Sequence, residues 1–142
     1  MRHPVLTAAE LTELLEREFP QTFGVEKINM VESVGPMTAR VRTLFNEKQI
    51  RPGGTLSGPT MMALADLALY AAVLAHVGPV PLAVTTSMSF NFLRKPAQRD
   101  LIADCRLLKL GRRLAVGDIA IFSDGEEELV AHATGTYSIP PR

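Results

Sequence analysis

The stretch from Gly53 to Val77, GGTLSGPTMMALADLALYAAVLAHV, constrains the fold more than any other part of the chain. From Met61 to Ala75 every residue is apolar except Asp66 and the amphipathic Tyr70. Wound as a helix, this run has no face free of bulky apolar groups, and a helix that is hydrophobic all round belongs in an interior. Spanning a bilayer takes about 20 apolar residues; this run is shorter and closely flanked by glycine and proline, so a core helix over 58–77 is expected. One carboxylate, Asp66, then falls in the middle of a buried helix. An unpaired charge there is costly, which makes Asp66 the first candidate for a functional group.

The 142 residues suit a single domain over 1–142 with a sizeable core. With 46% hydrophobic and 21% charged residues, the chain has a folded composition. Net charge is zero, which removes the electrostatic case for broad nucleic-acid or anionic-membrane binding. The lone cysteine, Cys105, lies in an apolar run and reads as a core thiol; one cysteine forms no internal disulfide and no cysteine-based metal site. Gly53, Gly54 and Gly58 match neither a P-loop nor a dinucleotide fingerprint. His76 falls at a helix end, where a cation is mildly favoured, and His132 in a strand. No His/Asp/Glu set has metal-ligand spacing, so no metal or redox cofactor is expected. Arg2 and His3 precede a short mixed segment with no signal-peptide pattern, so a cytoplasmic protein is expected.

Thr7 followed three residues later by Glu10 has the form of a capping box. Leu11, Leu14, Leu15 and Phe19 then recur at helical spacing, predicting an N-terminal helix within 1–20, ended by Pro20. Val25 to Glu32 and Met37 to Phe45 read as two strands joined at Gly35-Pro36. Asn46 to Ser57 reads as a loop, and Gly78-Pro79 stops the core helix. In the next segment Val84, Thr86, Met88, Phe90 and Phe92 share one face; Thr85, Ser87, Ser89 and Asn91 share the other, which reads as solvated in part. Three more strands follow, at 101–110, 113–123 and 128–139, the last two joined at Asp124-Gly125. One central helix among runs of antiparallel strands is an α+β arrangement. Six strands must wrap around the helix to bury it on all sides: the hotdog fold.

The order and spacing of GGTLSGPTMMALAD, SFNFLRKPA and LLKLGRRLAVGDIAIFSDGEEELVAHATGTY resemble the hotdog-fold thioesterases of the phenylacetic-acid-degradation (PaaI-like) type, from about Val25 to Ile139. In that family a His-Gly-Gly motif opens the central helix and a carboxylate follows nine residues after the His. Here Ser57-Gly58-Pro59 occupies the motif, and Asp66 lies nine residues after Ser57. Arg51 stands where many relatives have Asn, and Tyr70 where some have a small hydroxyl. The resemblance implies hydrolysis of an acyl-coenzyme A thioester by a homodimer or a dimer of dimers. Gly58 N–H would polarise the thioester carbonyl, Asp66 would attack the carbon or activate a water, and Ser57 would assist. Coenzyme A enters only as part of the substrate.

The residues agree with this chemistry. A helix N-terminus carries partial positive charge and unpaired N–H groups, which suit the oxyanion formed when a thioester is attacked. Gly58 and Asp66 are about 12 Å apart along the axis at about 1.5 Å per residue. One reacting carbon cannot touch both on one chain, so the spacing favours a site shared between two copies. Thr60 and Tyr70 are the hydroxyls expected near Asp66, and Asn91 belongs to a strand that in relatives borders the dimer edge. Arg51 flanks the motif, and Arg94, Lys95, Arg112 and Arg113 are the side chains expected to meet coenzyme A phosphates. A hotdog hydratase usually pairs a His with a carboxylate, and none stands in the helix-opening motif. A non-catalytic acyl-coenzyme A binder of the same fold remains the alternative.

Overall fold

The computed structural model describes residues 2–23 and 28–141. The expected strand beginning at Val25 therefore starts outside the described residues. Its described part is β1, Asn29–Gly35. Before it come α1 (Ala8–Glu18) and a single turn, α2 (Pro20–Phe23). Pro20 thus ends one helix and opens another, since a proline is tolerated in a first helical turn. The capping box forms as expected: Thr7 Oγ accepts from Glu10 N–H, and the Glu10 side chain accepts from Thr7 N–H. Leu11, Leu14 and Leu15 are the buried face of α1.

The remaining order is β2 (Thr38–Thr43), a short 3-10 turn (Glu47–Gln49), α3 (Gly58–Val77), β3 (Val84–Phe92), β4 (Leu101–Leu110), β5 (Leu114–Ser123) and β6 (Leu129–Ser138). The strands form one antiparallel sheet in the order β1-β2-β4-β5-β6-β3. It curls around α3, which touches all six strands. The expected hotdog architecture is present, and the span 58–77 of its central helix is as expected.

Two fittings seat the helix. Gly117 and Gly135 face each other across β5 and β6. A Cβ on either would come within 2.8 Å of the Leu69 side chain, so the bare glycines form a socket for Leu69. At the other end His76 is buried. Its Nε2 accepts from Met37 N–H at 2.9 Å, and its Nδ1 donates to Ala72 carbonyl at 2.7 Å. It is thus an internal strut at the end of the helix. It holds the β1–β2 turn, where Met37 has φ 59°, a left-handed conformation uncommon for a residue with a side chain.

The helix is not sealed on every side. Met62 and Ala63 are exposed and Asp66 is half-buried, which corrects the expectation of a fully enclosed carboxylate. β1 and β3 are the sheet edges, and β3 carries exposed Val84 and Phe92 with Leu93 just beyond it. On the outer face, Arg42 of β2 pairs with Glu32, Asp100 and Asp124, tying three parts of the sheet together. Cys105 is buried, as expected, and burial pushes its thiol pKa well above the usual value.

Candidate active site

Asp66 projects from the middle of α3 toward the β6–β3 edge of the sheet. Its Oδ1 accepts from Tyr137 Oη–H at 2.9 Å and from Thr85 Oγ–H at 2.5 Å. Thr85 and Tyr137 are direct partners across β3 and β6, so one cross-strand pair supplies both donors. Among the described residues no donor reaches Oδ2. Tyr137 is buried, its ring stacked on Tyr70 with centroids 5.8 Å apart, and Phe19 meets Tyr70 edge-on at 6.2 Å. Burial, and secondarily the charge on Asp66, push the Tyr137 phenol far above its ordinary pKa. It therefore stays protonated and serves as a standing hydrogen-bond donor.

This arrangement corrects the expected partners. Tyr70 Oη donates to Pro81 carbonyl at 2.8 Å, and Thr60 Oγ1 pairs with Ser57 Oγ at 2.8 Å; neither bonds Asp66. Thr85, on the strand face expected to be solvated in part, is exposed and also lines the space beside Asp66. The pairing of β3 with β6 shifts register between Thr85 and Ser87. A bulge inserts a residue and reverses the face of everything beyond it, so Thr85 turns toward the helix while Met88 and Phe90 keep the inward alternation.

Two cavities meet at Asp66. The larger, about 590 Å³, is lined by Tyr70, Pro81, Thr85 and Tyr137 with Glu18 and Gln21 at its rim. The smaller, about 290 Å³, runs toward Asn29, Thr43, Gln49 and Thr60. Phe19 and Leu67 line both. Tyr70 and Thr60 thus border the Asp66 site on different sides.

The start of α3 opens elsewhere. Ser57 caps it, its Oγ accepting from Thr60 N–H at 3.2 Å, while Ser57 carbonyl accepts from Met61 N–H at 3.3 Å. Pro59 has no N–H. Of the first-turn donors only Gly58 N–H is left without an acceptor among the described residues. It lies on a third cavity of about 400 Å³, lined also by Arg51, Met61, Phe92, Arg94 and Lys95. A Cβ at position 58 would sit 3.6 Å from the Phe92 ring, an ordinary contact.

Arg51, Arg94 and Lys95 are thus brought together beside Gly58, with Arg94 also bridged to Glu128 at 2.6 Å. Asn91, Arg112 and Arg113 are not: they line none of these three cavities. Asn91 lies opposite His132 in the β3–β6 ladder, and Arg112 and Arg113 sit at the β4–β5 turn. Among the described residues no group of three or more His, Cys, Asp or Glu is placed to hold a metal.

Residues 53–130 match the family model described as the thioesterase superfamily. A curated relative from Saccharolobus solfataricus, which carries a provisional esterase name, is 33% identical over 137 residues, covering 96% of this chain and 87% of that protein. A crystal structure from Silicibacter sp. TM1040, provisionally described as a thioesterase, superposes with a TM-score of 0.88 at 50% identity over 97% of this chain and 94% of that one. The phenylacetic acid degradation protein PaaI from Thermus thermophilus, solved as a mutant, superposes with a TM-score of 0.68 at 28% identity over 79% of this chain and 93% of that one.

Proposed function

Because this chain belongs to the thioesterase superfamily, we propose that it hydrolyses acyl-coenzyme A thioesters to the free acid and coenzyme A. The observation that carries this reading lies on one helix. Among the described residues α3 offers a single unspent first-turn N–H, at Gly58, which lines a cavity with three basic side chains, and eight residues later a half-exposed carboxylate, Asp66.

The two groups open onto different cavities of one chain. The proposed site therefore joins Gly58 of one copy to Asp66 of another in a homodimer, or in a tetramer made of two such dimers. The free β3 edge with exposed Val84, Phe92 and Leu93 supplies unpaired backbone and apolar surface suited to a second copy.

In this reading Gly58 N–H donates to the carbonyl oxygen of the thioester as it becomes an oxyanion. Asp66 either takes a proton from a water that adds to the thioester carbon, or adds to that carbon itself to give an anhydride that water then opens. In both routes the carbon–sulfur bond breaks, the thiolate of coenzyme A leaves and is protonated, and the acid is released. Ser57 holds the helix start so that Gly58 N–H stays free. Arg51, Arg94 and Lys95 bind coenzyme A phosphates as forked or point charges, with Arg112, Arg113 and Asn91 as outlying contacts. Thr60 and Tyr70 border the room for the acyl group. No metal or redox cofactor takes part.

The test is thiol release from a panel of short, medium, long-chain and aryl acyl-coenzyme A substrates, with Asp66→Asn beside the wild type. The substitution keeps shape and removes charge. Turnover that falls at least about 100-fold in the variant supports the reading. Equal binding of acyl-coenzyme A by both proteins with no turnover by either overturns it and leaves a binding protein.

A further inference from the structure

Resting on the reading of Asp66 as the reacting carboxylate, we infer that Tyr137 is a positioning residue: together with Thr85 it pins Oδ1 of Asp66, so that Oδ2 is the oxygen that acts. The terminal torsion of an aspartate is broad and roughly two-fold. A carboxylate standing at the junction of two cavities would present either oxygen, in many orientations. Here both donors converge on one oxygen, at 2.9 and 2.5 Å, and none reaches the other among the described residues.

The clamp is built on rigid parts. Thr85 and Tyr137 are a direct cross-strand pair, so their separation is fixed by the β3–β6 ladder. The adjoining register shift turns Thr85 inward, which gives that irregularity a use. The Tyr137 ring is held by its stack on Tyr70, and Tyr70 is anchored through its own hydroxyl to Pro81. Burial keeps the Tyr137 phenol protonated and hence a donor while Asp66 is charged. What is gained is a reactive oxygen already aimed, and misplacement of a reacting group by about 1 Å can cost on the order of 100-fold in rate.

Tyr137→Phe removes only the hydroxyl and keeps the stack, and Thr85→Val removes the second donor at equal size. Both are assayed with wild type, Asp66→Asn and Thr85→Ser on the best acyl-coenzyme A substrate, with thermal unfolding of each. The expected result is a loss of about 10- to 100-fold in kcat for Tyr137→Phe and for Thr85→Val. KM should stay within about threefold of wild type, as for an interaction used after substrate is bound. Thr85→Ser should restore the rate, and the unfolding temperatures should not track the losses. An unchanged kcat in Tyr137→Phe, or a loss matched by lower stability or by KM alone, overturns the inference while leaving the thioesterase reading intact if Asp66→Asn is inactive. A wild type silent across the substrate panel overturns both.

Discussion

Gly58 shows how much can turn on one backbone group. Ser57 uses its side chain and carbonyl on the N–H groups of Thr60 and Met61, and Pro59 brings none, so a single donor is left facing the third cavity. Gly58→Pro removes that donor where proline is well tolerated, in the first helical turn. Ser57 already holds the extended conformation, φ −76° and ψ 153°, that a following proline requires. The helix and unfolding temperature should survive while kcat falls by about 100- to 1,000-fold, the scale of losing one oxyanion donor; steady-state kinetics beside thermal melting checks both. The placement of Asp66 within the core helix and of Gly58 at its start was legible in the sequence, because both need only local spacing to be recognised; the roles proposed for them came from the family resemblance. The partners of Asp66 were not legible. Tyr137 lies 71 residues away, and a strict period of two cannot register the one-residue bulge that puts the still exposed Thr85 on the helix-facing side of its strand.

At the scale of elements, the helix–sheet fit depends on Gly117 and Gly135 as a socket for Leu69. An added methyl at 117 would meet Leu69 Cδ1 at 2.8 Å, Arg106 carbonyl at 3.1 Å and Cys105 Sγ at 3.3 Å. The leucine can shift; the strand backbone cannot. Gly117→Ala should therefore cost about 1–3 kcal/mol, as overpacking does, read as a lower urea midpoint with an unchanged slope. Element order, the core helix and the last three strands followed from patterning, because apolar periodicity reports burial directly. The socket did not, since a glycine in a strand looks the same whether it marks a bulge, a bend or a close approach. Nor did the role of His76: its place at the end of α3 said only that a cation is mildly favoured there, whereas the curl of β1 and β2 over that end makes it an internal acceptor for Met37 N–H.

For the molecule as a whole, one chain carries both halves of the proposed chemistry and brings them into different cavities. Arg51, Arg94 and Lys95 gather beside Gly58, whereas Phe19, Tyr70, Thr85 and Tyr137 gather around Asp66. In the proposed symmetric dimer the two halves would meet twice, each site taking its basic end from one copy and its carboxylate from the other. The most direct test is to co-express Asp66→Asn with Gly58→Pro and assay the mixed dimers for acyl-coenzyme A hydrolysis. Each variant alone should be nearly inactive. The mixture should recover about a quarter of wild-type activity, since about half of randomly paired two-fold dimers are mixed and each of those has one intact site of two. A mixture as inactive as its components would contradict a site shared between copies.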